Sequence, residues 1–358
     1  LVATMVVGLA ACGSKPAETK SAETTESAES GETAAPAEAT GEKELKVQIG
    51  PNPETMDPAL NSAVDGGNML LEVSECLLIV DKDGQLQPGQ AESWETSEDG
   101  LTWTFHLRDG LKWSDGSDFT AKDFEYSWKR VCDPEVAAPY AETVLGMVKG
   151  YDEAIAGDTD ALAVTAQDDK TLVVELSNPC TYFGSLAAFA TLSPVQQATV
   201  EANGDAWATS AETYISNGPF HMTEWVPGSH ITLSKNPYYW NADAIKLDKL
   251  TFALIEDSNA AYSAYESGEL LMIKDVPTEE IPSFEGREDY YVEPIIGTYY
   301  VSLNLNKEPF NIKEVRQALS LAIDRDYVAG TLMQGTYTAA TSFMGPGWVD
   351  TDGSEFQA

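Results

Sequence analysis

Histidine is scarce in this chain. His106, His221 and His230 lie scattered along 358 residues, a distribution that favours separate structural roles over metal ligation. The four cysteines, Cys12, Cys76, Cys132 and Cys180, have spacings that match no zinc pattern. With Cys12 set aside, at most one intramolecular disulfide can form among the other three. There is no G-x-S-x-G, no H-E-x-x-H and no P-loop, so serine-hydrolase, zinc-protease and NTPase chemistry have no motif to rest on. Paired carboxylates for glycoside hydrolysis stay open as an enzymatic alternative in so acidic a chain. Basic residues are few: 21 Lys and Arg against 58 Asp and Glu give a net charge of −37. That balance argues against nucleic acid or an anionic membrane surface as a partner.

Long apolar runs are also lacking. The most apolar stretch, LVATMVVGLAAC at residues 1–12, is too short to span a bilayer. It reads as the end of a signal-peptide core. Leu9-Ala10-Ala11-Cys12 resembles a lipobox, which makes Cys12 the expected site of lipid attachment. No Met or basic segment precedes Leu1, so more leader is expected upstream. Residues 13–44 are Ala, Glu, Thr, Ser, Gly and Pro with almost no large apolar side chain. Such a composition cannot bury enough surface to fold. About 30 flexible residues reach roughly 30 Å, which suits a tether.

The whole chain has a hydrophobic fraction of 43%, and its length suits two or three domains. Its densest aromatic stretch runs from Ala91 to Trp128 and holds Trp94, Trp103, Trp113 and Trp128. Leu101, Trp103, Phe105 and Leu107 alternate with polar residues, which predicts a strand with one buried face. Asp99-Gly100, Asp109-Gly110 and Ser114-Asp115-Gly116 punctuate it as turns. Thr120 followed by Asp123 has the spacing of a capping box. Phe124, Trp128 and Val131 then place apolar side chains on one helical face.

Further elements follow the same logic. Strands are predicted at 45–49, 76–80, 247–255, 270–273 and 299–306, and hairpins at 163–176 and 220–235. The second hairpin turns at Pro227-Gly228. Residues 180–190 read as helical, 196–202 as a helix closed by Asn203-Gly204, and 257–268 as a helix capped by Asp257. Asn311 with Glu314 predicts another capped helix with Val315, Ala318, Leu319 and Ala322 on one face. Strands and helices alternate throughout, so the fold class is α/β. No internal repeat is present.

The order of the parts is specific. A-E-S-W, G-L-T-W-T-F-H-L-R-D-G-L-K-W-S-D-G and T-A-K-D-F-x-Y-S-W resemble the signature of the family 5 extracellular solute-binding proteins, among them the peptide-binding components of ABC importers. N-P-E-T-M-D-P at 52–58, N-P-Y-Y-W at 236–240 and the run from Pro309 to Arg325 resemble further landmarks of that family. The likeness is strongest to its oligopeptide-binding members and covers about residues 45–350.

The resemblance implies a bilobal, periplasmic-binding-protein-like (type II) α/β fold with an extra domain. Lobe one would comprise 45–74 and 195–296, domain two 75–194, and domain three would begin at 297. Family members continue well over a hundred residues beyond the equivalent of Ala358, so domain three is expected to continue. In the family the ligand sits between lobes that close by hinge bending. Ser62-Ala63-Val64 matches a stretch whose backbone pairs with an extended peptide, a form of strand addition; Ser62 and Val64 are therefore candidate ligand-binding residues. Tyr140, Tyr299 and Tyr300 match aromatic positions that line the cleft, with a core role as the competing reading. Gly297 stands where some relatives carry a disulfide cysteine. The implied function is a lipid-anchored, extracytoplasmic, monomeric receptor that delivers oligopeptides to ABC permease subunits. It would touch the membrane only through its lipid, need no cofactor or metal, bind no nucleic acid and carry out no catalysis. Dipeptides, a nickel chelate, haem or an oligosaccharide are alternative ligands of the same fold; a secreted hydrolase is the remaining alternative.

Overall fold

A computed structural model describes residues 41–292, 297–345 and 354. The described residues form two compact units. One holds residues 41–44, 53–225 and 232–250; the other holds 45–52, 226–231 and 251–345 without 293–296.

Ten strands are described: β1 Glu44–Ile49, β2 Leu78–Val80, β3 Leu86–Pro88, β4 Ala91–Thr96, β5 Thr102–Leu107, β6 Val164–Ala166, β7 Thr171–Glu175, β8 Phe220–Val226, β9 His230–Lys235 and β10 Lys249–Leu254. They make a four-stranded sheet of order β4-β5-β7-β6, a second of order β1-β10-β9-β8, and the two-stranded pair β2-β3. The helices that matter most below are α1 Val64–Val73 and α2 Ala121–Val131.

The aromatic stretch builds the main core. In β5 the predicted alternation holds: Trp103, Phe105 and Leu107 are buried and their neighbours are half-exposed. β5 is antiparallel to β7, with Trp103 opposite Val174 and Phe105 opposite Leu172. Cross-strand apolar pairs of this kind stabilise a sheet face. β4 pairs on the other edge with a bulge between Ala91 and Ser93. α2 packs its Phe124, Trp128 and Val131 into the same core. Its capping box is formed: the Thr120 hydroxyl accepts from Lys122 N (3.3 Å), and Thr120 N donates to the Asp123 carboxylate (2.8 Å). Edge-to-face contacts link Trp113 to Phe119, Phe119 to Phe124, and Phe183 to both Trp103 and Trp128. Such pairs add to area burial.

Several predicted elements differ. Residues 180–190 hold only one helical turn, Phe183–Leu186. Leu270–Ile273 makes a single parallel bridge, Val47 to Met272, and no strand. The ladder stops there because the Gln48 side-chain oxygen takes the N–H groups of Lys274 (2.9 Å) and Asp275 (3.2 Å). Tyr299–Asn306 is not a strand; its alternation finds no strand partner among the described residues. The helix Lys313–Ala322 has Ile312, not Asn311, at its N-cap position and has no side-chain cap. A turn over Lys307–Ile312, closed by Phe310 N to Lys307 O and Ile312 N to Pro309 O, holds Asn311 inside it. The apolar face of that helix is not buried.

Candidate functional site

The segment 53–63 holds Pro53 and Pro58 and forms no regular element, yet much of it is fixed. Met56 is buried; its N–H donates to Ala208 O (2.9 Å) and its carbonyl accepts from the Tyr214 hydroxyl (3.1 Å). Asp57 is 2% exposed. Its Oδ1 accepts from Ala59 N (2.9 Å), and its carbonyl accepts from Leu60 N (3.1 Å) and Asn61 N (3.0 Å). Arg130 on α2 meets the Asp57 carboxylate with both ends of its fork, Nη1 to Oδ1 at 3.0 Å and Nη2 to Oδ2 at 2.5 Å. Asn61 then folds over the first turn of α1, where a Cβ on Gly66 would lie 2.2 Å from Asn61 Oδ1.

Past this anchored turn the chain opens to solvent. Ser62 and Ala63 are exposed, and Val64 is 72% exposed. Ala63 is extended, with φ −99° and ψ 142°, and offers α1 no side-chain cap. Ala63 O accepts from Gly67 N. Among the described residues, no hydrogen bond occupies the N–H of Ser62, Ala63 or Val64, or the carbonyl of Ser62. In an extended segment the N–H and C=O of residue i share an edge with the N–H of residue i+2. Because Ala63 is extended, Ser62 C=O and Val64 N–H face one side and form an open edge, of the kind to which another strand can add.

The aromatic candidates sit elsewhere. Tyr140 is half-buried, packs on the main core and meets Phe189 edge-on at 5.5 Å. It lies in the same unit as Ser62 and Val64. Tyr299 and Tyr300 belong to the other unit and are 86% and 65% exposed. They contact Tyr337 (5.9 Å) and Phe343 (5.0 Å) edge-on. Cys12 lies outside the described residues.

Other chemistry-bearing groups are occupied structurally. Cys76, Cys132 and Cys180 are free and buried. Burial pushes the Cys76 and Cys132 thiols up to about 12, which makes them poor nucleophiles. Glu75, also buried, accepts from the Tyr239 hydroxyl and from Trp240 Nε1, while the Arg108 guanidinium covers the Trp240 ring at 3.6 Å. Burial raises the Glu75 carboxyl above the ordinary glutamate range, and its donors and Arg108 partly oppose that. Among the described residues no group of His, Cys, Asp and Glu is arranged to hold a metal ion, and no helix is long and apolar enough to cross a membrane. Sequence reasoning missed the Asp57–Arg130 and Glu75–Trp240 pairings. Asp57 lies in the 52–58 run that resembles a family landmark, but nothing local in the sequence points to its partner 73 residues away.

What remains is an exposed backbone segment, Ser62–Val64, next to a fixed turn. A model of the bacterial extracellular solute-binding proteins, family 5 Middle, matches residues 85–358. The chain belongs to this family. It is 38% identical over 314 residues to the oligopeptide-binding protein OppA of Bacillus subtilis (strain 168), covering 86% of this chain and 57% of that protein. It is 34% identical over 324 residues to the dipeptide-binding protein DppE of the same organism, covering 90% of this chain and 59% of that protein. The crystal structure of Haemophilus influenzae OppA in complex with RPPGFSPFR aligns with a TM-score of 0.78 and 36% identity, over 82% of this chain and 58% of that one. The chain therefore spans less than two thirds of the length of these relatives. The fold is the type II periplasmic-binding-protein α/β class expected from the sequence. Family 5 proteins are solute binders, in line with the non-enzymatic reading.

Proposed function

We propose that this chain is part of an extracytoplasmic receptor, anchored through lipid on Cys12, that captures oligopeptides as a monomer and delivers them to an ABC permease. The observation that carries the reading is the open edge at Ser62–Val64. An extended segment with free donors and an acceptor recognises peptide backbone whatever the side chains. Relatives named as oligopeptide-binding support the ligand class. Tyr140, Tyr299 and Tyr300 are proposed to supply aromatic walls. Capture itself requires only a difference in ligand affinity between two conformations.

Titration calorimetry on the complete protein with dipeptides and with a mixed tripeptide-to-pentapeptide set tests the ligand. Tripeptides and longer should bind at micromolar affinity or better, roughly 8 kcal/mol. Binding of dipeptides alone would shift the assignment to the class named for DppE. No peptide binding at all would overturn it. The anchor is checked separately: Cys12→Ala should move the protein from the membrane fraction to the soluble one, and unchanged fractionation and mature mass would remove lipid from the proposal.

A further inference from the structure

We infer that Arg130 is a positioning residue for ligand capture, acting through Asp57 to hold the Ser62–Val64 edge extended and open. The inference rests on the reading of that edge as the peptide-pairing site. Arg130 lies 73 residues from Asp57 in sequence, on α2, whose other face is fixed in the aromatic core. α2 is therefore a rigid mount. The guanidinium is 13% exposed and the carboxylate 2% exposed, so the pair is largely shielded from water and the fork geometry is enforced on both sides.

Asp57 distributes that constraint to the turn. One carboxylate oxygen holds Ala59 N, and the carbonyl holds Leu60 N and Asn61 N. The other carboxylate oxygen also takes Trp207 Nε1 at 3.4 Å. The bonds to Ala59, Leu60 and Asn61 fix the residues just before Ser62. Asn61 is then pressed against Gly66 of α1, so the exposed residues 62 and 63 are suspended between two fixed points. A segment already held in its bound shape loses less conformational freedom when ligand arrives, and affinity rises accordingly. Nothing in this scheme requires Arg130 to touch the peptide.

Lysine at 130 keeps the charge but loses the two-point fork. Asparagine at 57 keeps the shape and an oxygen for Ala59 N but loses the charge. These two variants provide independent routes should one fail to fold. Leu172→Ala serves as a control, because Leu172 is fully buried on β7, in the main core, and its truncation destabilises without touching the turn. In the complete protein, at a temperature where every variant is folded, Arg130→Lys or Asp57→Asn should weaken binding of a fixed tripeptide roughly tenfold or more. Hydrogen exchange at Ala59, Leu60 and Asn61, whose N–H groups Asp57 holds, should quicken in the unliganded variants. Leu172→Ala should bind within about twofold of wild type. The inference is overturned if the folded Arg130→Lys or Asp57→Asn protein binds like wild type, or if Leu172→Ala loses as much affinity as they do. Failure of the underlying site has a different signature. Saturating peptide would then leave exchange at Ser62–Val64 unchanged in the wild type, and both proposals would fall.

Discussion

Trp128→Ala should lower stability by about 3–5 kcal/mol and the melting temperature by about 10 °C. Trp128 is fully buried. It meets Phe124 and Phe183 edge-on at 6.5 and 6.2 Å, and its Nε1 donates to Leu192 O at 3.0 Å. Alanine removes the ring contacts, leaves a cavity beneath α2 and strands a buried carbonyl. Phenylalanine at 128 fills most of the space but still leaves that carbonyl without its donor, at about 1–3 kcal/mol. Trp103 offers a contrast. It is equally part of the core, yet among the described residues its Nε1 has no acceptor. Trp103→Phe deletes an unsatisfied donor and should cost less than Trp128→Phe. Thermal and denaturant unfolding of the four-protein set, wild type included, reads the order directly. A Trp128→Ala protein that kept its melting temperature but lost peptide binding would turn this residue from scaffold into site.

The aromatic stretch was legible because its information is local. Alternation fixes which side of β5 is buried, and Thr120 with Asp123 fixes where α2 begins. The same alternation misled at Tyr299–Asn306. A strand is made by its neighbour, and the pattern in one segment cannot say whether a neighbour is there. At Leu270–Ile273 a single glutamine, Gln48, ends the pairing with its side chain, a contact with no trace in periodicity. The candidate site divides similarly. Resemblance to a family placed Ser62 and Val64, but whether their backbone groups are open depends on what the rest of the chain does not cover. The Asp57–Arg130 pair and the Glu75–Trp240 pair span 73 and 165 residues. Their partners are ordinary charged and aromatic residues until the fold brings them together.

Val64→Pro should leave the fold intact and weaken peptide binding about 10- to 100-fold, the consequence of a lost 1–3 kcal/mol. Val64 is the first residue of α1, where proline is well tolerated because that N–H has no partner within the helix. The preceding residue must be extended for proline to follow, and Ala63 already is. The valine side chain is 72% exposed, so little packing is lost, and stability should stay within about 0.5 kcal/mol of wild type. The substitution therefore deletes one backbone donor from the open edge and almost nothing else. A peptide paired there would keep its contacts to Ser62 but bury a carbonyl without a donor, and that unmet group accounts for the loss. Val64→Ala and Ser62→Ala keep both backbone N–H groups and should bind within about twofold of wild type, a spread of roughly 0.4 kcal/mol. Calorimetry with a single tripeptide across the three variants gives the answer. If Val64→Pro binds as the wild type does, the peptide does not pair with this edge; if the two alanine variants weaken binding as much as proline, recognition runs through side chains instead.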